Sequence, residues 1–478
     1  MELRLRDDQE DVVERVISTL KTGGFSALQA PTGWGKTITA LFTIKELNAK
    51  PSLWLEPRLA TELHVFQHAV DLNMRVIATA GREKLCLNNY TTIDFMRGVC
   101  HSCRFNRLVS LGELDDFGAF ADMDFGRVRE IAESMGICPY KLQSFLERLY
   151  GYDLIIAHFG RAGKLVKSVR PKLIIVDEAH NTALPVIHRV DVRALRLLLV
   201  DRLGFEEDEF TGLIRSPESL RVVLRELVDT LIYTAGEDND ARPIVEDLLA
   251  MLNAQIWFYD EGDEALIGLE VPSMDANVLT LFMSATLPPS LLSSTNVIVV
   301  RRGWSIPVKI DDKYALTLDS IERRKGEIAK HVEEYLQPGT VIFTTLSREA
   351  LLGDGVIWED ELVERNKTPC DYRDEVVVLK SFGRFNEGVD LDCFQRLIIL
   401  GLPLLPPNVM QRLRSRGIEE KDFIVMKTVQ LIGRVIRTTE RPSQMPEIIL
   451  VDRRFNTIRD ELANYEIEII ESKPQTPG

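Results

Sequence analysis

The octapeptide Ala30-Pro31-Thr32-Gly33-Trp34-Gly35-Lys36-Thr37 constrains this chain more than any other stretch. An apolar run, Ser26–Gln29, precedes it and reads as a strand. A good helical stretch, Ile38–Leu47, follows it. Strand, glycine-rich loop and helix in that order are the context a phosphate-binding loop needs. Backbone N–H groups of the loop and the helix N-terminus would cradle the β- and γ-phosphates of a nucleotide. Thr32, Gly33 and Gly35 fall in that cradle. Lys36 would neutralise the phosphates and the Thr37 hydroxyl would ligate Mg²⁺.

A phosphate loop needs a partner carboxylate, and Asp177-Glu178-Ala179-His180 supplies one. It caps Lys172–Val176, a continuous apolar run typical of a buried parallel strand. Asp177, at the C-terminal end of such a strand, would hold the Mg²⁺ directly or through water. Glu178 would polarise the water that attacks the γ-phosphate. A third element is Gln430-Leu431-Ile432-Gly433-Arg434-Val435-Ile436-Arg437. Spacing puts Arg434 and Arg437 on one helix face. That face is either a solvated basic surface or a pair of arginine fingers reaching the γ-phosphate from a second domain. The block Gly383–Leu391 follows the strand-like Glu375–Lys380, and Ser284-Ala285-Thr286 follows the strand-like Leu279–Met283.

Length bounds the architecture: 478 residues with 45% apolar content imply about three domains with ample cores. The net charge of −15 is unusual for a nucleic-acid binder, yet charge distribution, not the sum, sets a local channel's potential. No apolar run approaches the ~18 residues of a membrane span, and Met1-Glu2-Leu3-Arg4 does not open a signal peptide. A reducing cytoplasm is therefore expected, in which grouped thiols read as metal ligands. Cys86, Cys100, Cys103 and Cys138 are so grouped, between the phosphate loop and the Asp177 strand. The gaps are thirteen, two and thirty-four residues. Four thiolates suit a 4Fe–4S cluster or a tetrahedral zinc, and spacing alone leaves both open. Cys370 and Cys393 lie far away and read as ordinary buried thiols.

Strands are expected at Ser26–Gln29, Leu53–Leu55, Arg75–Thr79, Leu154–Ala157, Lys172–Val176 and Leu279–Met283, then at Thr340–Thr344, Val376–Leu379, Leu397–Gly401 and Ile448–Val451. Alternation with helices indicates doubly wound parallel sheets. Helical periodicity runs through Val192–Leu203, Pro217–Thr234 and Ala241–Ala254.

The order of these blocks resembles the superfamily 2 helicases of DEAH type. More narrowly it resembles the XPD family of iron–sulfur helicases with its bacterial DinG relatives. Four cysteines, Asn181 after the DEAH block, Cys138-Pro139-Tyr140 and the form of Gly383–Leu391 carry the narrower likeness. The resemblance implies an α/β fold of two RecA-like motor domains, with a metal-cluster lobe and a helical arch inserted in the first. The limits would be 1–85, 139–188 and 264–300 for the first motor, 86–138 for the lobe, 189–263 for a short arch and 301–470 for the second motor. The tail 471–478 is expected to be disordered. The same likeness favours the 4Fe–4S cluster over zinc and assigns Gln9 to the adenine. It adds Gly388, Asp390 and Gln430 to the ATP contacts and suggests that Arg58 touches a DNA phosphate rather than being a solvated loop arginine; Tyr140 would either stack on a base or pack in the core. It implies ATP and Mg²⁺ as cofactors, single-stranded DNA and forked duplex as partners, and no membrane. The expected protein is a cytoplasmic monomer moving 5′→3′ in repair or replication-associated unwinding. The alternative job for the same motor is remodelling protein–nucleic-acid complexes without processive unwinding.

Overall fold

The computed structural model describes residues 3–57, 59–107, 120–182, 186–260, 264–270, 278–287, 296–346, 355–385, 389–414, 418–437 and 440–470. These contain the strands β1 (Phe25–Gln29), β2 (Ser52–Glu56), β3 (Val76–Thr79), β4 (Asp122–Met123), β5 (Leu154–His158), β6 (Leu173–Val176), β7 (Val186–Asp191), β8 (Ile256–Asp260) and β9 (Ala265–Glu270). They continue with β10 (Leu279–Ser284), β11 (Asn296–Val299), β12 (Ile306–Asp311), β13 (Thr340–Thr344), β14 (Ile357–Trp358), β15 (Val376–Lys380), β16 (Arg396–Leu400), β17 (Glu447–Val451) and β18 (Ile467–Ile470). The chain divides into two compact units. One is Met1–Arg6 with Leu41–Thr280, the other Asp7–Ala40 with Leu281–Gly478.

In the first unit β6, β2, β5, β3 and β4 lie side by side in that order, all parallel. Ser52 of β2 pairs with Leu154 on one side and Leu173 on the other. β2, β3 and β6 are buried along their whole length. Both faces are therefore apolar, which is why these strands read as unbroken apolar runs. The same unit holds an antiparallel sheet, β7-β9-β8. Helices Glu207–Arg215, Pro217–Glu226, Val228–Glu237 and Arg242–Met251 share a core with it. Ile93, from the helix Thr92–Met96 in the cysteine-bearing segment, is buried in that core too.

In the second unit β11, β1 and β10 are neighbours. A seven-stranded parallel sheet runs β14-β15-β13-β16-β17-β12-β18. Successive strands of a parallel sheet are joined by crossovers. The helices Leu318–Glu333 and Glu420–Val435 supply two of them, from β12 to β13 and from β16 to β17. β13 is the spine, buried throughout and paired on both sides. Val341 and Phe343 on one face and Ile342 on the other are wholly buried, each worth about 2 kcal/mol of transfer free energy. The expected α/β class with parallel RecA-like sheets is the one found, and all ten expected strands are present to within one residue at either end.

The expectation for two of the cysteines fails. Cys370 and Cys393 are not separate thiols but a disulfide with Cα atoms 5.9 Å apart. The 3₁₀ turn Pro369–Tyr372 and the turn after Leu391 bring them together across 23 residues of chain, inside the separation a bridge tolerates. No described helix is long and apolar enough to cross a membrane.

Candidate functional site

The phosphate loop lies in the second unit. Gly33 and Gly35 have φ of 82° and 101°, left-handed values that glycine alone adopts without strain. The chain then enters the helix Lys36–Leu47 at its first residue. Lys36 sends its ammonium to the carbonyls of Ala30 at 3.0 Å and Pro31 at 3.3 Å. Gln9 is 3% exposed and donates from Nε2 to the Trp34 carbonyl at 2.9 Å. Trp34 returns its indole N–H to Asp8 at 2.8 Å. A Cβ on Gly35 would sit 2.4 Å from Gln9 Nε2. Gln9 is thus locked onto the loop, and the second glycine is there for close approach as well as for its dihedral. Asp8 and Trp34 were not singled out from sequence. Their only signal was position beside the loop and beside Gln9.

The helix Glu420–Val435 lies against this loop inside the same unit. A Cβ on Gly433 would meet Thr32 Oγ1 at 3.0 Å. Gln430 Nε2 donates to Thr286 Oγ1 at 3.0 Å, both buried. Gln430 Oε1 is buried with no partner among the described residues. The donor-rich loop and this open acceptor fit a nucleotide's phosphates and hydroxyls. Arg434 is 5% exposed, and its carbonyl accepts from Leu391 N at 2.9 Å, tying the helix to the block after β15. The shared helix face expected for Arg434 and Arg437 is not found. The helix ends at Val435, and Ile436 is extended with its side chain buried in the core. Burying that β-branched side chain takes the backbone off the helix. Arg437 therefore stands beyond the end, ion-paired with Asp390. Gly388 and Arg58 lie outside the described residues.

The carboxylate block lies in the first unit. Asp177 follows β6, its N–H bonded to Leu55 O at 3.0 Å. Asp177 Oδ1 accepts from Glu178 N at 2.8 Å. Glu178 has φ of 45°, a strained value of the kind found at active sites. Fully buried His180 stands 3.5 Å from its carboxylate.

Also in the first unit, Cys86, Cys100, Cys103 and Cys138 are free and half-buried. Burial pushes the Cys100 thiol up, Arg82 opposes this, and the sulfurs of Cys138, Cys103 and Cys86 add to it. Cys100 is therefore within electrostatic reach of the other three sulfurs. Asn88 Nδ2 donates to Cys103 Sγ at 3.3 Å. Among the described residues, however, no group of three or more His, Cys, Asp or Glu is arranged to hold a metal ion. Tyr140 is flanked by Arg82 at 4.8 Å and Lys164 at 4.6 Å from its ring centroid. His158 accepts from Gly160 N through Nδ1, a structural role.

A family profile described as type III restriction enzyme, res subunit, matches residues 2–63. The ATP-dependent DNA helicase XPD of Sulfolobus acidocaldarius is 24% identical over 237 residues. That match spans 47% of this chain and 41% of the relative, less than half its length. Among solved structures, an XPD helicase superposes over 98% of this chain and 100% of its own, with TM-score 0.71 and 17% identity. A second XPD structure, of the apo protein, covers 98% and 100% with TM-score 0.61 and 14% identity. Xpd4 of S. tokodaii covers 97% and 100% with TM-score 0.53 and 16% identity. The chain is thus XPD-like: it resembles a curated XPD helicase in sequence and shares the fold of solved XPD structures.

Proposed function

We propose that this protein is an ATP-dependent helicase or translocase on single-stranded DNA, moving 5′→3′ in repair or replication-associated unwinding. The observation that carries the reading is the apposition, within one unit, of a phosphate loop with two left-handed glycines and a helix bearing Gln430 and Arg434. A small-molecule kinase has no need of that helix or of the block Gly383–Leu391.

Bound ATP with Mg²⁺ supplies a transferable γ-phosphoryl group, and the chain's residues bind, orient and activate around it. The loop N–H groups and Lys36 hold the phosphates; Gln9 reads the base; Gln430 and Asp390 complete the contacts, with Gly388. Thr37 would ligate Mg²⁺ from the loop, Asp177 is the carboxylate expected to hold it directly or through water, and Glu178 would act as general base toward the attacking water. Arg434 and Arg437 stabilise charge that develops in the transition state. Alternating grip on the DNA backbone, with Arg58 among the contacts, converts the cycle into steps. Tyr140, framed by two cations, offers a stacking face for a base.

The donor set Cys86, Cys100, Cys103 and Cys138 suits a 4Fe–4S cluster, which would brace the surrounding segment. Zinc is the competing occupant, and the visible spectrum of anaerobically purified protein distinguishes them.

The decisive variant is Lys36→Ala. It should abolish strand-stimulated ATP hydrolysis while leaving single-strand binding largely intact, because Lys36 serves the phosphates alone. Wild-type turnover in that variant sinks the nucleotide assignment. A forked-duplex assay on the wild type separates unwinding from mere remodelling of protein–DNA complexes.

A further inference from the structure

Glu359 opens the helix Glu359–Glu364 after β14 and is 4% exposed. Among the described residues it forms no ion pair. Lys380, whose backbone it touches, sends its ammonium to Asp360 at 2.9 Å instead. The Glu359 carboxylate is turned to backbone. Oε2 accepts from Lys380 N at 2.7 Å, and Oε1 accepts from Arg384 N. The turn between them is closed by Gly383 N to Lys380 O at 2.9 Å and tied to β13 by Ser381 N to Thr344 O at 2.9 Å.

Gly383 explains itself against this carboxylate. Its φ is not in the left-handed range, so no dihedral demands glycine there. A Cβ would lie 2.2 Å from Oε2 and 2.3 Å from Oε1 of Glu359. The side chain is absent to let the carboxylate in. An apolar residue at 359 would fill the space but leave the part-buried N–H groups of Lys380 and Arg384 without this acceptor.

The turn is where the chain leaves β15 for the block that ends at Leu391. Phe385 and Leu391 are both buried in the core of this unit, and Leu391 N bonds the carbonyl of Arg434. The block is thus fixed at its exit by the arginine helix and at its entrance by Glu359. We infer that Glu359 is a positioning residue for the block Gly383–Leu391, taken here as the segment that couples a bound strand to the nucleotide: it sets the backbone of Lys380–Arg384, and the exit of the same block is bonded to the Arg434 carbonyl. This rests on the proposed helicase reading.

The test compares ATP hydrolysis with and without a saturating single-stranded oligonucleotide. Glu359→Gln replaces one accepting oxygen by an amide that faces an N–H donor, so one contact becomes repulsive. Its stimulation by the strand should fall about tenfold, within the usual range of a coupling free energy, while the strand-free rate and the KM for ATP hold. Gly383→Ala attacks the same contact from the other side and should also lose stimulation. Adding Gly383→Ala to Glu359→Ala should cost nothing more, since the clash is gone.

Wild-type protein that no strand stimulates overturns the helicase reading and this inference together. A stimulated wild type with a normally stimulated Glu359→Gln overturns the inference alone. An equal fall in strand-free and stimulated rates reduces Glu359 to a folding role and also overturns it. Should Glu359→Gln fail to fold, full stimulation in Gly383→Ala is the overturning result.

Discussion

Arg437 owes its position to its neighbour. Ile436 is buried and extended, so the guanidinium hangs on a short tether past the helix rather than on the rigid face that holds Arg434. Asp390 holds it there through a pair whose side chains are 30% and 60% exposed. A partly exposed pair is weak, on the order of 1 kcal/mol or less, so a γ-phosphate can win the guanidinium from it. On this reading Arg437→Ala slows hydrolysis about a thousandfold and leaves the ATP dissociation constant within about threefold, because the finger acts on transition-state charge. Rapid-quench turnover with equilibrium nucleotide binding checks this. A weakened affinity with unchanged turnover would make Arg437 a ground-state binder.

Elements differ in how far sequence alone reveals them. β2, β6, β13 and β16 are buried almost end to end, so their apolar runs are unmistakable. β4 and β14 have two residues each and carry no period at all. β12 contains Pro307, which argues against a strand interior. It escapes that rule because its register with β17 covers only Lys309–Asp311. β7, β8 and β9 sit among helices whose 3.6-residue rhythm dominates the region, so an antiparallel sheet was not foreseen there. Site legibility follows the same division. Loop and carboxylate block are each contiguous in sequence and so could be picked out, whereas the helix face expected to carry both Arg434 and Arg437 stops at Val435. The Glu359–Gly383 and Gln430–Thr286 contacts join distant segments, and no local pattern announces them. Caps are the cheapest element to test. Asp191 accepts from Arg193 N at 2.8 Å and Ala194 N at 3.1 Å at the start of the helix Val192–Arg196. Asp191→Ala should cost about 1 kcal/mol, seen as a lower denaturation midpoint with unaltered ATPase. No shift in midpoint would mean the cap is satisfied by water instead.

For the whole molecule, the cysteine-bearing segment is held in two ways. Ile93 buries itself among the helices that follow β7, and Asp94 and Arg97 pair with Arg242 at 3.2 Å and Glu237 at 2.9 Å. Around Cys100 and Cys103 the described ties are polar, Asn88 to Cys103 Sγ at 3.3 Å and Arg107 to the Met135 carbonyl at 2.6 Å, and the proposed cluster would add to them. Cys103→Ser should therefore release iron and colour, and raise amide exchange over residues 99–107. The helix Thr92–Met96 should stay protected, and strand-stimulated ATPase should survive while duplex unwinding fails. Loss of protection across Thr92–Met96 would show the apolar anchor to be insufficient. The Cys370–Cys393 bridge gives this last experiment an unexpected control problem. One polypeptide holds sulfur in two oxidation states, a disulfide and four free thiols. The redox poise of the medium acts on both, in opposite senses. The handling of a sample between cell and cuvette becomes a chemical variable of the protein, to be recorded as carefully as pH.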